Sequence, residues 1–165
     1  MFYRAAILKS VAVAPAFVFL ALTLSACQAV DTAQAPPDLE FLNTPEATAL
    51  KLPFSEAVRV NNILYLSGQI GVLPGTTTLV SGGIQSETRQ TMENIRTTLQ
   101  RYGSNLGRVF KCTIFLADIA EWPQMNEVYR TYFPGSPPAR SAFAATGLAF
   151  NARVEIDCQA VIASG

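Results

Sequence analysis

Histidine is absent from the 165 residues of the sequence. Its absence excludes Ser-His triads, imidazole general bases and His-ligated metal sites. The three cysteines, Cys27, Cys112 and Cys158, are far apart, so neither a zinc knuckle nor a CxxC motif is present. Lys plus Arg and Asp plus Glu balance at 12 each, so no basic field is available to attract nucleic acid. Any chemistry must therefore come from Arg, Glu, Asp, Ser, Asn, Tyr or backbone groups.

Residues 1–27 have the three parts of a secretory signal. Arg4 and Lys9 give a positive start, and the apolar run over Ser10–Leu24 is too short for an ordinary membrane span. The run leads into Leu-Ser-Ala-Cys27, which resembles the lipobox of bacterial lipoproteins, where the cysteine is lipidated. We therefore expect an exported protein anchored to a membrane through Cys27, facing the periplasm or the cell surface. Gln28 favours the outer membrane by resemblance to known sorting rules, and the alternative is ordinary signal cleavage with an incidental Cys27.

Residues 28–38 are rich in Ala, Gln, Thr and Pro without apolar periodicity, which indicates a flexible tether. Residues 39–165 form the predicted domain, and half of the whole chain is hydrophobic, enough for a real core. Helices are expected on one face of a mixed sheet, an α+β arrangement, and apolar residues on the other face call for a partner. The predicted elements are strands at 39–42, 55–60, 63–67, 108–116, 137–141 and 154–162, helices at 83–103 and 118–133, and turns at 43–46 and 61–62. Residues 68–71 are expected to leave the sheet.

Two stretches near the C-terminus carry the candidate chemistry. Pro137–Ser141 and Arg153–Asp157 flank a predicted turn, so we expect them to pair as antiparallel strands. In that register Arg140, Ala142 and Glu155 share one face. Arginine grips carboxylates with a rigid fork, and glutamate can hold or deprotonate a water. The alternative, which involves no functional site, is a cross-strand ion pair on a solvated surface.

Several stretches together resemble the RidA/YjgF family of reactive-intermediate (imine/enamine) deaminases, over roughly residues 39–162. They are Leu52–Val58, Leu66–Ile70, Asn126–Tyr129, Pro138–Ser141 and Val154–Ile156. The resemblance implies a chorismate-mutase-like α+β fold and a homotrimer with active sites in clefts between subunits. It also implies hydrolysis of 2-imino or enamino acids to 2-oxo acids and ammonia, without a metal or an organic cofactor.

The resemblance also implies roles for individual residues. Arg140 falls on the family's carboxylate-binding arginine and Glu155 on its water-positioning glutamate. Ser67, Gly68 and Asn126 fall on substrate-binding positions. Two positions depart from the pattern, because Phe54 stands where many members have a tyrosine and Ala142 where they have a cysteine. Backbone groups at Ala142 can still contact a ligand, since any residue supplies them.

Three functions are compared on this basis. The favoured one is imine hydrolysis, with Arg140 binding the substrate carboxylate and Glu155 activating water. A non-catalytic module that binds small carboxylates in the same pocket is the alternative. A ribonuclease is disfavoured by the neutral charge and the absence of histidine. Whether Cys112 and Cys158 are buried small hydrophobes or form a disulfide is left open by the sequence.

Overall fold

A computed structural model describes residues 36–162 of the chain. The predicted signal segment 1–27 and residues 28–35 of the predicted tether lie outside the described residues. Within 36–162, no helix combines the length and the apolar character needed to cross a membrane. Asp38, at the end of the predicted tether, is already held by the domain. Its backbone N–H donates to Asn61 Oδ1 at 3.0 Å, and its carboxylate pairs with Arg59.

The domain is built on one mixed sheet, as the sequence predicts. Its strands are β1 (Leu39–Leu42), β2 (Ala57–Val60), β3 (Ile63–Leu66), β4 (Gln69–Ile70), β5 (Val109–Leu116), β6 (Ala139–Ala144) and β7 (Val154–Val161). The order across the sheet is β1-β2-β3-β7-β5-β6, and the short strand β4 pairs with β7 beside β3. All of these pairs are antiparallel except β5 with β6, which are parallel.

Helices cover one face of this sheet. The apolar stripe of α2 (Gly83–Arg101) is buried and packs with the alternating buried side chains of β5 and β7. The second long helix, α3 (Trp122–Tyr129), packs beside α2 and connects β5 to β6. Short 3₁₀ turns at 119–121 and 130–132 flank it, so the predicted helix 118–133 is continuous only in its middle. A helical crossover of this kind is what a parallel strand pair requires.

The predicted pairing of the two C-terminal stretches is wrong. Strand β5 lies between β6 and β7, and its residue Cys112 is the register partner of both Arg140 and Cys158. The connection from β6 to β7 passes the end of β5 instead of turning back as a hairpin. Backbone hydrogen bonds from Ala145 N to Leu116 O at 2.8 Å and from Ala117 N to Arg153 O at 2.9 Å join that end to both neighbours.

Two shorter segments also differ from expectation. Gln69 and Ile70 do not leave the sheet, because they form β4 against Ile156 and Glu155 of β7. The predicted turn around residue 45 is the start of a short helix, α1 (Pro45–Ala49). Thr44 caps it, since the Thr44 hydroxyl accepts from Ala47 N–H at 3.1 Å, and a proline is well suited to the first helical turn.

A disulfide joins the two central strands. Cys112 and Cys158 are direct register partners on β5 and β7, with Cα atoms 4.1 Å apart. Both side chains are fully buried on the helix-covered face. The structure therefore decides the question that the sequence left open.

Candidate active site

Arg140 lies on β6 and points to the helix-covered face of the sheet. Its guanidinium carbon is 5.1 Å from the centre of the Tyr129 ring and 5.7 Å from that of Trp122, so two rings of α3 hold it in place. None of the acidic residues in the described part of the chain forms a salt bridge with it. The fork of Arg140 therefore remains available for an anionic ligand. It borders a cleft of about 440 Å³ that Pro137 and Pro138 help to line.

Tyr129 adds a second polar group to this cleft. Its ring lies in the core, and its hydroxyl is buried without a hydrogen-bond partner among the described residues. Burial raises the pKa of Tyr129 to about 12, although the charge of Arg140 opposes the shift. The hydroxyl therefore stays protonated at neutral pH. It is a buried donor without an acceptor within residues 36–162, on a ring that packs against the Arg140 guanidinium.

Two further predicted site residues lie near Arg140. Asn126 precedes Tyr129 by one helical turn on α3 and lines the same cleft. Ala142 is two residues along β6 from Arg140, so it shares the helix-covered face, and its register partner is Ile114. The structure thus places Arg140 and Asn126 at one cleft, with Ala142 on the same face of β6 as Arg140.

Glu155 lies on β7 and faces the other way. Its register partner is Phe115, which pairs in turn with Phe143, and these residues lie on the sheet face opposite α2 and α3. Burial raises the pKa of Glu155 above its ordinary value, and the nearby carboxylate of Asp157 raises it further. A carboxylate in this setting is a stronger base than one in water.

Gly68 makes the space that Glu155 occupies. A Cβ atom at position 68 would overlap the Glu155 carboxylate and would lie only 2.9 Å from its Cδ. Any other residue there would displace the carboxylate. A glycine at this position thus allows the close approach of backbone and side chain.

Phe54 lines the same cleft as Glu155, whereas Ser67 does not. Phe54, Gly68 and Glu155 line one cleft of about 470 Å³. Ser67 does not line that cleft, and its hydroxyl donates to Ser55 O at 2.6 Å. In this structure Ser67 fixes the segment that leads to Phe54, while Phe54 itself borders the open space.

The candidate residues therefore form two half-sites on opposite faces of one sheet. The prediction that Arg140, Ala142 and Glu155 share a face is wrong for Glu155. The prediction assumed that β6 and β7 pair directly, but β5 lies between them, and in the resulting register Glu155 lies on the opposite face. One half-site carries Arg140, Asn126, Ala142 and Tyr129. The other carries Glu155, Gly68 and Phe54. No residue that lines the cleft of one lines the cleft of the other.

Sequence reasoning missed two parts of these half-sites. It gave Tyr129 no role in the site, although its spacing of three residues from Asn126 places both on one side of a helix. It also overlooked an apolar wall around Glu155 that includes Leu50, Leu52 and Phe150. The described residues contain no group of three or more His, Cys, Asp or Glu side chains able to hold a metal ion.

Known proteins share this fold and these stretches of sequence. The family model described as Endoribonuclease L-PSP matches residues 44–162. The Arabidopsis thaliana protein named Reactive Intermediate Deaminase A, chloroplastic, is 38% identical over 74% of this chain and 66% of its own length. The mouse protein named 2-iminobutanoate/2-iminopropanoate deaminase is 40% identical over 74% of this chain and 90% of its own length.

A solved structure agrees with the sequence relatives. A crystal structure of a yeast protein superposes with a TM-score of 0.71 at 37% identity, covering 76% of this chain and 100% of that chain. The family model matches most of the chain, and the superposition shows that the yeast protein shares its fold. The chain belongs to the endoribonuclease L-PSP family, which is the RidA/YjgF family.

Proposed function

We propose that the protein is a cofactor-free deaminase that hydrolyses 2-imino acids, and enamino acids through their imine tautomers, to 2-oxo acids and ammonia. One observation carries the proposal. An arginine without an acidic partner among the described residues and a glutamate with a raised pKa lie in two separate clefts, each too incomplete to act alone. The names of the Arabidopsis and mouse relatives point to the same reaction.

Joining the two half-sites requires a second copy of the chain. Arg140 and Glu155 cannot meet within one sheet, because they lie on opposite faces of it. The face that carries Glu155 also exposes large apolar side chains, among them Phe41 at 67% and Phe143 at 46% exposure. Large apolar side chains exposed on one face of a sheet mark a candidate protein interface. We propose a homotrimer in which Arg140 of one subunit approaches Glu155 of the next.

The proposed reaction depends more on positioning the imine and the water than on activating them chemically. Arg140 binds the substrate carboxylate through its fork. Glu155 takes a proton from a water whose oxygen attacks the imine carbon. Glu155 passes that proton to the nitrogen, which gives a carbinolamine. The remaining hydroxyl proton of the carbinolamine then moves to the nitrogen, the carbon–nitrogen bond breaks, and ammonia leaves as the 2-oxo acid forms. Because imines already react with water, holding the two reactants together supplies most of the acceleration.

The two departures from the family pattern are compatible with this chemistry. Phe54 keeps an aromatic ring beside Glu155 but offers no hydroxyl. Ala142 offers only backbone groups near Arg140. Neither position is asked to transfer a proton, because Glu155 fills that role. The cleft is correspondingly more apolar than one with tyrosine and cysteine.

For location, we propose that the protein is exported and held on a membrane by a lipidated Cys27, with the outer membrane of a Gram-negative cell favoured. The support is the Leu-Ser-Ala-Cys27 ending of an apolar segment. A buried disulfide in the domain is consistent with this location, since disulfides persist in oxidising compartments.

A coupled assay tests the activity directly. An amino-acid oxidase generates the imine in the presence of the purified full chain, and release of the 2-oxo acid and ammonia is followed against spontaneous hydrolysis. Hydrolysis above that background supports the deaminase. Binding of small carboxylates without any hydrolysis would instead support a non-catalytic binding module. Cleavage of RNA under the same conditions would support the activity named in the family model, which the balanced charge and missing histidine disfavour.

A further inference from the structure

The cleft beside Glu155 has far more apolar wall than a small imino acid can use. Its lining includes Leu50, Leu52, Phe54 and Phe150, and each of these large side chains is about half exposed or more. Phe150 and Leu50 are the most open, at 61% and 63% exposure. The cleft volume is about 470 Å³, and Glu155 supplies an acidic group at its polar part.

Two of these side chains are not required by the core. Leu50 and Leu52 follow α1, a helix without a single buried residue. The segment is attached mainly at its base, where Thr44 N–H donates to Glu56 Oε2 at 2.7 Å and Glu56 N–H donates to Asn43 Oδ1 at 2.9 Å. Leucines that support no core and face a cleft indicate a contact with something that enters it.

Phe150 is held in an unusual backbone conformation at the rim of the same cleft. Its φ of 55° lies in the left-handed region, where a bulky residue is a genuine outlier. Backbone hydrogen bonds across the turn, from Asn151 N to Leu148 O at 3.2 Å and from Ala152 N to Ala149 O at 3.0 Å, fix this conformation. Strain that the surrounding structure maintains at a cleft motivates a functional hypothesis for the residue that bears it.

The chemistry of the substrate indicates which of its groups would contact the apolar lining of the cleft. In a 2-imino acid, C2 carries the carboxylate, the imine nitrogen and a side chain. With the carboxylate on Arg140 of a neighbouring subunit and C2 near Glu155, the side chain is the group left to lie along the apolar wall. We propose that the cleft selects 2-imino acids with large apolar side chains, such as those derived from leucine, methionine and phenylalanine, over 2-iminopropanoate. This selectivity rests on the proposed deaminase function.

The size of the effect follows from the added apolar contact. A single methylene in an apolar pocket discriminates by roughly 10- to 200-fold. We therefore expect kcat/KM for the imine of leucine to exceed that for 2-iminopropanoate by about tenfold or more. Phe150→Ala and Leu50→Ala should each reduce that ratio by about tenfold. Ile119→Ala is the matched control, because Ile119 is an exposed aliphatic residue that does not line the cleft.

The experiment measures both imines with the full chain, wild type and three variants, with light scattering as a check on assembly. A wild type that prefers 2-iminopropanoate, or a ratio unchanged in Phe150→Ala and Leu50→Ala, would overturn the selectivity alone. Equal loss on both imines together with loss of the oligomer would overturn it too, because the wall would then be a subunit interface.

A second measurement separates selectivity from turnover. Calorimetry compares binding of two products, 4-methyl-2-oxopentanoate and pyruvate. We expect tighter binding of the larger acid to wild type, and a smaller difference in Phe150→Ala. If no imine is hydrolysed but this difference is found, the deaminase function fails while the selectivity of the cleft stands. If neither imine is hydrolysed and both acids bind alike, both proposals fail.

Discussion

Arg140 and Glu155 are separated by a single strand, yet their side chains emerge from opposite faces of the sheet. Cys112, between them on β5, points with Arg140, whereas Phe115 points with Glu155. If both residues serve one reaction, each active site must draw them from different subunits. This arrangement is open to a direct test with mixed oligomers.

Complementation between two inactive variants is the first prediction. Arg140→Ala retains Glu155, and Glu155→Gln retains Arg140, so a mixed trimer contains some interfaces at which both residues are intact. Random mixing in equal amounts should restore about a quarter of wild-type activity, since each of the two positions is intact half of the time. Coexpression followed by the coupled imine assay measures it. Activity no higher than that of the separate variants would place the two residues in one subunit's site or outside the chemistry.

The second prediction concerns substrate recognition by Arg140. Arg140→Ala should reduce kcat/KM by roughly ten- to a hundredfold, because a charged hydrogen bond to the substrate carboxylate is lost. Arg140→Lys should recover only part of this loss, since a point charge cannot replace a two-pronged fork. Arg96→Ala, which removes an exposed pair with Glu93 on α2, is the control and should leave kcat/KM unchanged. A fully active Arg140→Lys would contradict bidentate binding.

The third prediction links Glu155 to pH. Its folded-state pKa is raised, so the ionised carboxylate costs stability at pH values above that pKa, and the cost disappears on acidification. Glu155→Gln should therefore melt at a higher temperature than wild type at pH 8, and the difference should shrink as the pH falls through the Glu155 pKa. The same variant should lose turnover more than ligand affinity. Thermal melting across pH measures the first effect, with exposed Glu127→Gln as the control. A melting difference that does not vary with pH would contradict the assignment.

The fourth prediction concerns the cross-link between β5 and β7. Cys112→Ala combined with Cys158→Ala should lower the free energy of unfolding by about 2–5 kcal/mol, the usual cost of losing a native disulfide. Because both cysteines are fully buried, mild reductant should leave the native wild type intact. Urea denaturation measures the stability, and mass mapping of non-reduced peptides identifies the bond. Free thiols at both positions in protein isolated from the exported fraction would contradict it.

The fifth prediction concerns the membrane anchor. Wild type should carry a lipid on Cys27 and sediment with membranes, because a thiol directly after Leu-Ser-Ala is the acceptor in a lipobox. Cys27→Ser should leave the membrane fraction or remain unprocessed. Metabolic lipid labelling and fractionation measure both effects. An unchanged label or distribution in the variant would show that Cys27 is incidental.

Local patterns in the sequence predicted most of the fold. The apolar stripe from Ile84 to Leu99 has the period of a helix, and alternation from Val154 to Ala160 has the period of a half-buried strand. Both periods follow from which side of the element faces the core, and the residues buried in the structure have the same spacing. Asn61 has a positive φ of 53° and turns β2 into β3, as its side chain permits.

Strand neighbours were harder to predict because they depend on distant parts of the chain. The turn before Arg153 has local features of a hairpin, but β5, from much earlier in the sequence, forms a parallel pair with β6 and separates it from β7. Because β5 separates β6 from β7, Glu155 lies on the face opposite Arg140. Residue type and strand pattern singled out Arg140 and Glu155, and the resemblance added the other site residues. The division into two half-sites came only from the sheet order.

The disulfide between Cys112 and Cys158 also determines at which stage the fully stabilised domain can form. If the protein is exported, as we propose, it crosses the inner membrane from a reducing compartment and meets oxidant only on the far side. The two central strands would then lack their covalent tie during synthesis and transit. The precursor would cross the membrane without this disulfide, and oxidation on the far side would then form it. Cytoplasmic molecules that escape export would stay reduced, and so be the first candidates for unfolding and proteolysis.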